Sequence, residues 1–222
     1  MDVGGTFTDV VVFDGRSIRG HKVPTSPNQA DAVAAAVNGQ RDDVFLHGTT
    51  AATNALLEER GARVALVTDA GYEDLIEIAR QDRPALYDGF ADRPRPLVER
   101  EHRIGVGADH DVSLASVAAA VPDVVAVSLI ESYADPGREI ALEQRLTAAL
   151  DAPILRSSLV SPEFREYERT ATTVLSAYLT PAVAGYLRAL DERLPMDRRL
   201  VMTSSGGLLP FSRAPGVAGR LV

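Results

Sequence analysis

No cysteine occurs among the 222 residues, so disulfide frameworks, thiolate nucleophiles and cysteine-based zinc sites are excluded, and a reducing compartment fits. Positive charge is in short supply. Lys and Arg number 23 against 31 Asp and Glu, a net charge of −8, which argues against a general nucleic-acid binder because no broad cationic surface exists to release phosphate counterions. No run approaches the roughly 18 apolar residues that a membrane span needs. The start Met1-Asp2-Val3-Gly4-Gly5 is not a basic segment followed by an apolar one, as a secretory leader would be, and a cytoplasmic location is expected. What the chain does have is apolar content: 45% of it is hydrophobic, with Leu, Val and Ala along its whole length, enough for one full domain and part of a second.

The pattern of elements reads as α/β. Asp9 to Phe13 is a β-branched run, Asp14-Gly15 supplies the positive φ of a tight hairpin, and Ser17 to Val23 returns as a second strand. Ser26-Pro27 with Gln29 marks the start of a helix that Asn38-Gly39 stops. A short strand at Val44 to His47, a helix from Ala52 to Arg60 and the apolar run Arg63 to Thr68 then give strand, helix, strand, the last of a type buried on both faces of a parallel sheet. Prolines and arginines crowd between Asp82 and Pro96, which predicts an irregular surface excursion. Alternation resumes with a helix near Leu114 to Ala120, a strand at Val124 to Ile130, a helix at Arg138 to Leu150 and a strand at Pro153 to Arg156. Two long helices follow, Glu163 to Leu179 and Pro181 to about Leu194, and then a strand at Leu200 to Thr203; the residues beyond show no periodicity. A boundary falls near Arg156 to Ser161.

The octet Asp2-Val3-Gly4-Gly5-Thr6-Phe7-Thr8-Asp9 holds the residues that carry chemistry. Two glycines let backbone N–H groups converge on an anion, the Thr6 and Thr8 hydroxyls can donate to phosphate oxygens, and Asp2 can hold a hydrated Mg²⁺ that neutralises a polyphosphate. A plain glycine hairpin with Asp and Thr as turn formers would use the same letters. At the end of the next strand, His47-Gly48-Thr49-Thr50 delivers polar side chains to the carboxyl end of a sheet, where Thr49, Thr50 and Asn54 can meet substrate or nucleotide. Thr50 serves equally as a helix N-cap and His47 as a packed histidine. Arg80, Gln81 and Arg83 can pin a carboxylate or simply be solvated, and Ser204 to Gly207 can offer donors to an anion or form a strand-to-turn junction. Glu163, Glu166, Glu168 and Arg169 sit at helical spacings typical of surface ion pairs and are assigned no chemistry.

The opening octet resembles the first phosphate motif of the actin, sugar-kinase and heat-shock ATPase superfamily, and its spelling is similar to the hydantoinase/oxoprolinase branch. Further segments agree in the same order: His47 to Ala55, Arg60 to Thr68, Arg80 to Pro84, Ser161 to Arg169 and Ser204 to Gly207. The resemblance implies a ribonuclease H-like or actin-like lobe with a mixed sheet, antiparallel at its start and then parallel with helices, followed by the beginning of a second domain. It divides the chain into an amino-terminal domain at 1–158 and the start of a central hydantoinase A-type domain at 159–222. The implied activity is ATP-dependent hydrolysis of cyclic amides such as hydantoin or 5-oxoproline, with a subunit of an ATP-dependent ketone carboxylase as the alternative.

In that picture Asp2 and Asp9 are the catalytic acids, Asp2 holding Mg²⁺ through water and Asp9 anchoring the loop or assisting the metal. Gly4, Gly5, Thr6 and Thr8, with Ser205, Gly206 and Gly207, bind ATP, while Thr49, Thr50 and Asn54 contact the substrate. Members of the branch are several hundred residues long and carry a second phosphate motif and an adenosine segment, so the chain is expected to be an incomplete enzyme needing a complementary polypeptide, in a homo- or hetero-oligomer. A non-catalytic nucleotide-binding lobe and an inactive fragment are the readings from other classes.

Overall fold

The computed structural model describes residues 2–3, 7–13, 15–24, 29–37, 44–82, 84–107 and 112–222. It divides into two compact units, Met1–Gly61 with Leu179–Val222, and Ala62–Tyr178. The chain starts in the first unit with β1 (Asp2–Val3), β2 (Phe7–Phe13), β3 (Ile18–Pro24), α1 (Gln29–Val37), β4 (Val44–Thr49) and α2 (Ala51–Leu57). β2 and β3 form the expected antiparallel hairpin, in register from Phe7↔Pro24 to Phe13↔Ile18, with Gly15 at φ +84° in the turn. The predicted Ser26-Pro27 start and Asn38-Gly39 stop of α1 lie outside the described residues.

In the second unit come β5 (Val64–Asp69), α3 (Leu75–Ile78), β6 (Arg103–Val106), α4 (Leu114–Ala119), β7 (Val124–Ser128), α5 (Gly137–Ala149), β8 (Ile154–Arg156) and α6 (Ser157–Val160). Its sheet has the order β6-β5-β7-β8, with every pairing parallel. Parallel strands buried on both faces read as continuous apolar runs because each face needs its own core. Ala65, Val67, Val125 and Val127 accordingly join one cluster with Val117 of α4 and Leu142 and Leu146 of α5. Val64, Leu66, Val124 and Ala126 join the other, with Val160 of α6. α4 starts where the Ser113 hydroxyl accepts the Ser116 N–H at 3.2 Å. Residues 84–96 are irregular as expected, and Arg93 donates to the carbonyls of Glu77, Ile78 and Asp82.

Two helices were expected after residue 162, but a single one forms, α7 (Glu166–Asp191), with Pro181 inside it. Proline removes one N–H and crowds the carbonyl four residues earlier, which is why the sequence pattern suggests a break. The helix continues because both halves are packed: Val174 and Ala177 are buried before the proline, and Val183, Leu187 and Leu190 after it. Near Pro181, the Tyr178 carbonyl also accepts the Ala62 N–H at 2.8 Å. The two units part within this helix. Val174 and Ala177, before the proline, belong to the core of the parallel-sheet unit.

The chain closes with β9 (Arg198–Met202), β10 (Leu208–Pro210) and a 3₁₀ segment at Pro215–Leu221. These complete the first unit's sheet, of order β10-β9-β4-β1-β2-β3. β1, β4 and β9 are mutually parallel neighbours, whereas β2, β3 and β10 enter through antiparallel pairings. One face of this sheet carries Val10, Val12, Phe45, His47 and Val201, all buried, and α1, α2 and the second half of α7 lie on that side.

Arg169 corrects a second expectation. Its ion pair with Glu166 is not a surface pair, for the guanidinium is fully buried. Within the second unit it donates to the Leu129 carbonyl at 2.7 Å, the Glu163 carbonyl at 3.0 Å and the Ser157 hydroxyl at 3.0 Å. Ser157 in turn donates to the buried carboxylate of Glu139 at 2.6 Å, and Glu139 also accepts the Leu129 and Ser158 N–H groups. Removing one member of such a network strands the others in a dry site. Arg169→Ala is expected to lower unfolding free energy by about 3 kcal/mol, against less than about 0.5 kcal/mol for the exposed Arg165→Ala, measured by urea denaturation.

Candidate functional site

Sheet topology sets the carboxyl ends of β9, β4 and β1 side by side in the first unit. In α/β sheets, ligands sit beyond the carboxyl ends of parallel strands, where loops diverge and leave room. β9, β4 and β1 are consecutive and parallel, and each is followed by one of the motifs singled out in the sequence. β1 ends at Val3, which is paired with Thr49 at the end of β4. Asp2 is paired with Asp9 on one side and Gly48 on the other. The residues that follow β1 in sequence, Gly4, Gly5 and Thr6, lie outside the described residues, as does Arg83.

The end of β4 is built in most detail. His47 is buried on the helix-covered face, and its Nε2 is 2.8 Å from the Tyr186 hydroxyl of α7. Burial pushes the Tyr186 phenol up to about 12, because the phenolate would be poorly solvated, while a hydrogen bond with Thr49 pulls the other way. The Thr49 hydroxyl also accepts the Ala51 N–H at 3.1 Å and so tethers the first turn of α2. Thr50 occupies the N-cap position but makes no side-chain cap; its hydroxyl accepts from the Asn54 amide at 3.4 Å. Asn54 and Tyr186 line a cleft of about 610 Å³ whose walls are mainly small, Ala51 and Ala55 from α2 and Ala182, Gly185 and Ala189 from α7, with Glu58 and Arg60 at its rim. Asn54 and Tyr186 thus supply polar atoms to the wall of a cleft, where they can orient a carbonyl or amide by hydrogen bonding, and Thr49 is hydrogen-bonded to Tyr186. Tyr186 escaped the sequence reading because a tyrosine at helical spacing looks like any packed aromatic.

The other candidates are more dispersed. Thr8 is fully buried on the helix-covered face, so its hydroxyl does not face solvent. Asp9 lies on the opposite face, paired with Lys22 at 3.2 Å. The turn between β9 and β10 has Gly206 at φ +84°, and much of its hydrogen bonding is internal. Gly206 N–H donates to the Thr203 carbonyl, Gly207 N–H to the Thr203 hydroxyl, and Thr203 N–H to the Gly207 carbonyl; the Ser205 hydroxyl is 3.1 Å from that of Thr203. In the second unit, Arg80 donates to Glu168 at 2.7 Å, and Gln81 beside it has φ +60°. A backbone N–H first and Arg80 second hold the Glu168 carboxyl below its usual range. Among the described residues, no group of three or more metal-binding side chains occurs, and no helix is long and apolar enough to cross a membrane.

A mixed sheet in which an antiparallel hairpin leads into parallel strands, with helices between them, defines a ribonuclease H-like α/β lobe. Residues 1–150 match the family profile described as hydantoinase/oxoprolinase N-terminal region, and the chain belongs to that family. It is 30% identical over 259 residues to caprolactamase subunit alpha of Pseudomonas jessenii, covering 99% of this chain and 36% of the relative. It is 31% identical over 265 residues to the acetophenone carboxylase gamma subunit of Aromatoleum aromaticum, covering 97% of this chain and 36% of that one. The crystal structure of the ATP-dependent caprolactamase from Pseudomonas jessenii has a TM-score of 0.77 at 27% identity, covering 98% of this chain and 38% of that chain. The chain therefore spans little more than a third of the length of these relatives.

Tyr186→Phe is expected to cost about 1–2 kcal/mol by stripping His47 of its phenol partner, measured by urea denaturation. In the wild-type protein, the folded state keeps the Tyr186 proton where an unfolded tyrosine loses it, so this residue's contribution is intact below pH 10 and falls as pH rises towards about 12. Ultraviolet titration of the six tyrosines should show one late ionisation that is absent from Tyr186→Phe.

Proposed function

We propose that the chain supplies the phosphate-gripping part of an ATP-dependent enzyme that opens cyclic amides of the hydantoin or 5-oxoproline type. The observation that supports this most is that the motifs at Thr49 to Asn54 and Ser204 to Gly207 follow the carboxyl ends of the adjacent parallel strands β4 and β9, beside β1. In this reading Asp2 holds Mg²⁺ through water and Asp9 assists or anchors the turn. Their types fit such an ion, since Mg²⁺ on a nucleotide needs only one or two carboxylates. Gly4, Gly5 and Thr6 offer donors to the phosphates, with Ser205, Gly206 and Gly207 as the second set. Thr8, being buried, acts by holding the turn. Bound ATP would supply a phosphoryl group that makes the amide oxygen a leaving group. Thr49, Thr50 and Asn54 orient the amide by hydrogen bonds, and residues 159–222 open a second family segment.

Likeness to the acetophenone carboxylase gamma subunit supports a second reading, a subunit that prepares a ketone for carboxylation. The polypeptide that makes up the rest of these relatives would complete the site in either case. Phosphate release decides between them when the chain is mixed with the part of caprolactamase subunit alpha that lies outside the matched segment. Cyclic amide should stimulate release, and Asp2→Asn should lower it by about 10²-fold. Release driven only by a ketone with bicarbonate would select the carboxylase, and none with any substrate would overturn both.

A further inference from the structure

A second cleft of the first unit, of about 690 Å³, opens between the carboxyl-terminal half of α7, the start of β9 and the segment that follows β10. Its walls are largely apolar: Leu187 and Phe211 are buried along them, and Leu200 and Pro215 half-buried. They are also held in place. The Phe211 N–H donates to the Arg199 carbonyl at 3.1 Å, and the Thr180 hydroxyl of α7 donates to the Pro215 carbonyl at 2.9 Å. Arg199 ties β9 to the end of α7 through Asp191 at 2.6 Å and the Leu194 carbonyl at 3.1 Å. Each wall is therefore set before a ligand arrives, which lowers the cost of binding one.

Charge at the rim is unbalanced. Asp191 is answered by Arg199, but Arg188 and Arg198 are exposed at the cleft and have no ion pair or side-chain hydrogen bond among the described residues. Asp197 is the one lining carboxylate left to set against these two. The lining thus keeps one surplus positive charge, on a chain whose net charge is −8. Guanidinium groups bind carboxylates and phosphates through paired N–H donors, and Ser212 adds a hydroxyl to the same lining. Apolar walls with a few polar groups, at this volume, are the make-up of a small-molecule site.

We propose that this cleft binds an organic monocarboxylate, with its apolar body against Leu187, Phe211 and Pro215 and its carboxylate on Arg188 and Arg198. The charge balance selects among anions. A single surplus positive charge matches a monoanion, whereas a phosphate dianion would face Asp197 with a negative charge to spare. A neutral ligand would leave both guanidinium groups unanswered, and acetate would leave the apolar walls in water. The site lies at the amino end of β9, roughly 20 Å along the chain from Ser204, and its occupancy does not depend on the nucleotide reading.

Isothermal titration with octanoate tests the assignment. Octanoate should bind the chain with a Kd on the order of 0.1 mM, and octanol, acetate and octyl phosphate at least about tenfold more weakly. Arg188→Gln with Arg198→Gln should weaken octanoate by at least about tenfold at unchanged circular dichroism, whereas Arg165→Gln in the second unit should leave it as it is. Because the chain has no cysteine, Ser212→Cys gives a unique thiol, which saturating octanoate should protect from maleimide. That protection decides the matter even if the double variant fails to fold. No binding up to roughly 1 mM, affinity that survives the double substitution or falls equally in Arg165→Gln, or a thiol labelled just as fast with octanoate bound would each overturn the proposal. Tighter binding of octyl phosphate would overturn it in favour of a phosphate site, and equal binding of octanol in favour of a purely apolar one.

Discussion

Asp2 and Val3 pair with β2 on one side and β4 on the other, and among the described residues they alone join the antiparallel hairpin to the parallel strands of the first unit's sheet. A register shift of one position there would exchange the faces of everything beyond it, because strand side chains alternate with a period of two. The same seam pairs Asp2 with Asp9 and ends β1 next to Thr49.

The second unit is organised differently. Its strands are buried on both faces, and its polar chemistry is drawn inward into the network of Glu139, Ser157 and Arg169 that secures the backbone at Leu129. Each buried charge there is hydrogen-bonded, as a dry site requires. Such a network favours a rigid scaffold, and the cleft lined by Asn54 and Tyr186 lies in the first unit instead.

Much of this was legible in the residues. The apolar run at Arg63 to Thr68, the positive φ of Gly15 between β2 and β3 and the alternation in β2 each follow from local physics, and the strands stand within a residue or two of their expected places. β6 and β10 were missed because runs of four and three residues are too short to display a period. Pro181 misled because packing on both sides outweighs one lost hydrogen bond. Arg169 misled because i, i+3 spacing says nothing about how deeply a helix is buried. At the site, Thr49 and Asn54 were visible as polar residues at a strand end, whereas the Tyr186 partnership joins residues 139 apart in sequence and has no local signal.

The central claim is that β9, β4 and β1 present one side of a nucleotide site whose other side comes from the complementary polypeptide. Isothermal titration of Mg-ATP into the chain, and into the chain mixed with that polypeptide, addresses it most directly. Tight binding by the mixture, lost in Asp2→Asn and absent from the chain alone, is the predicted result. Equally tight binding by the chain alone, or binding by the mixture that ignores Asp2→Asn, would contradict the account.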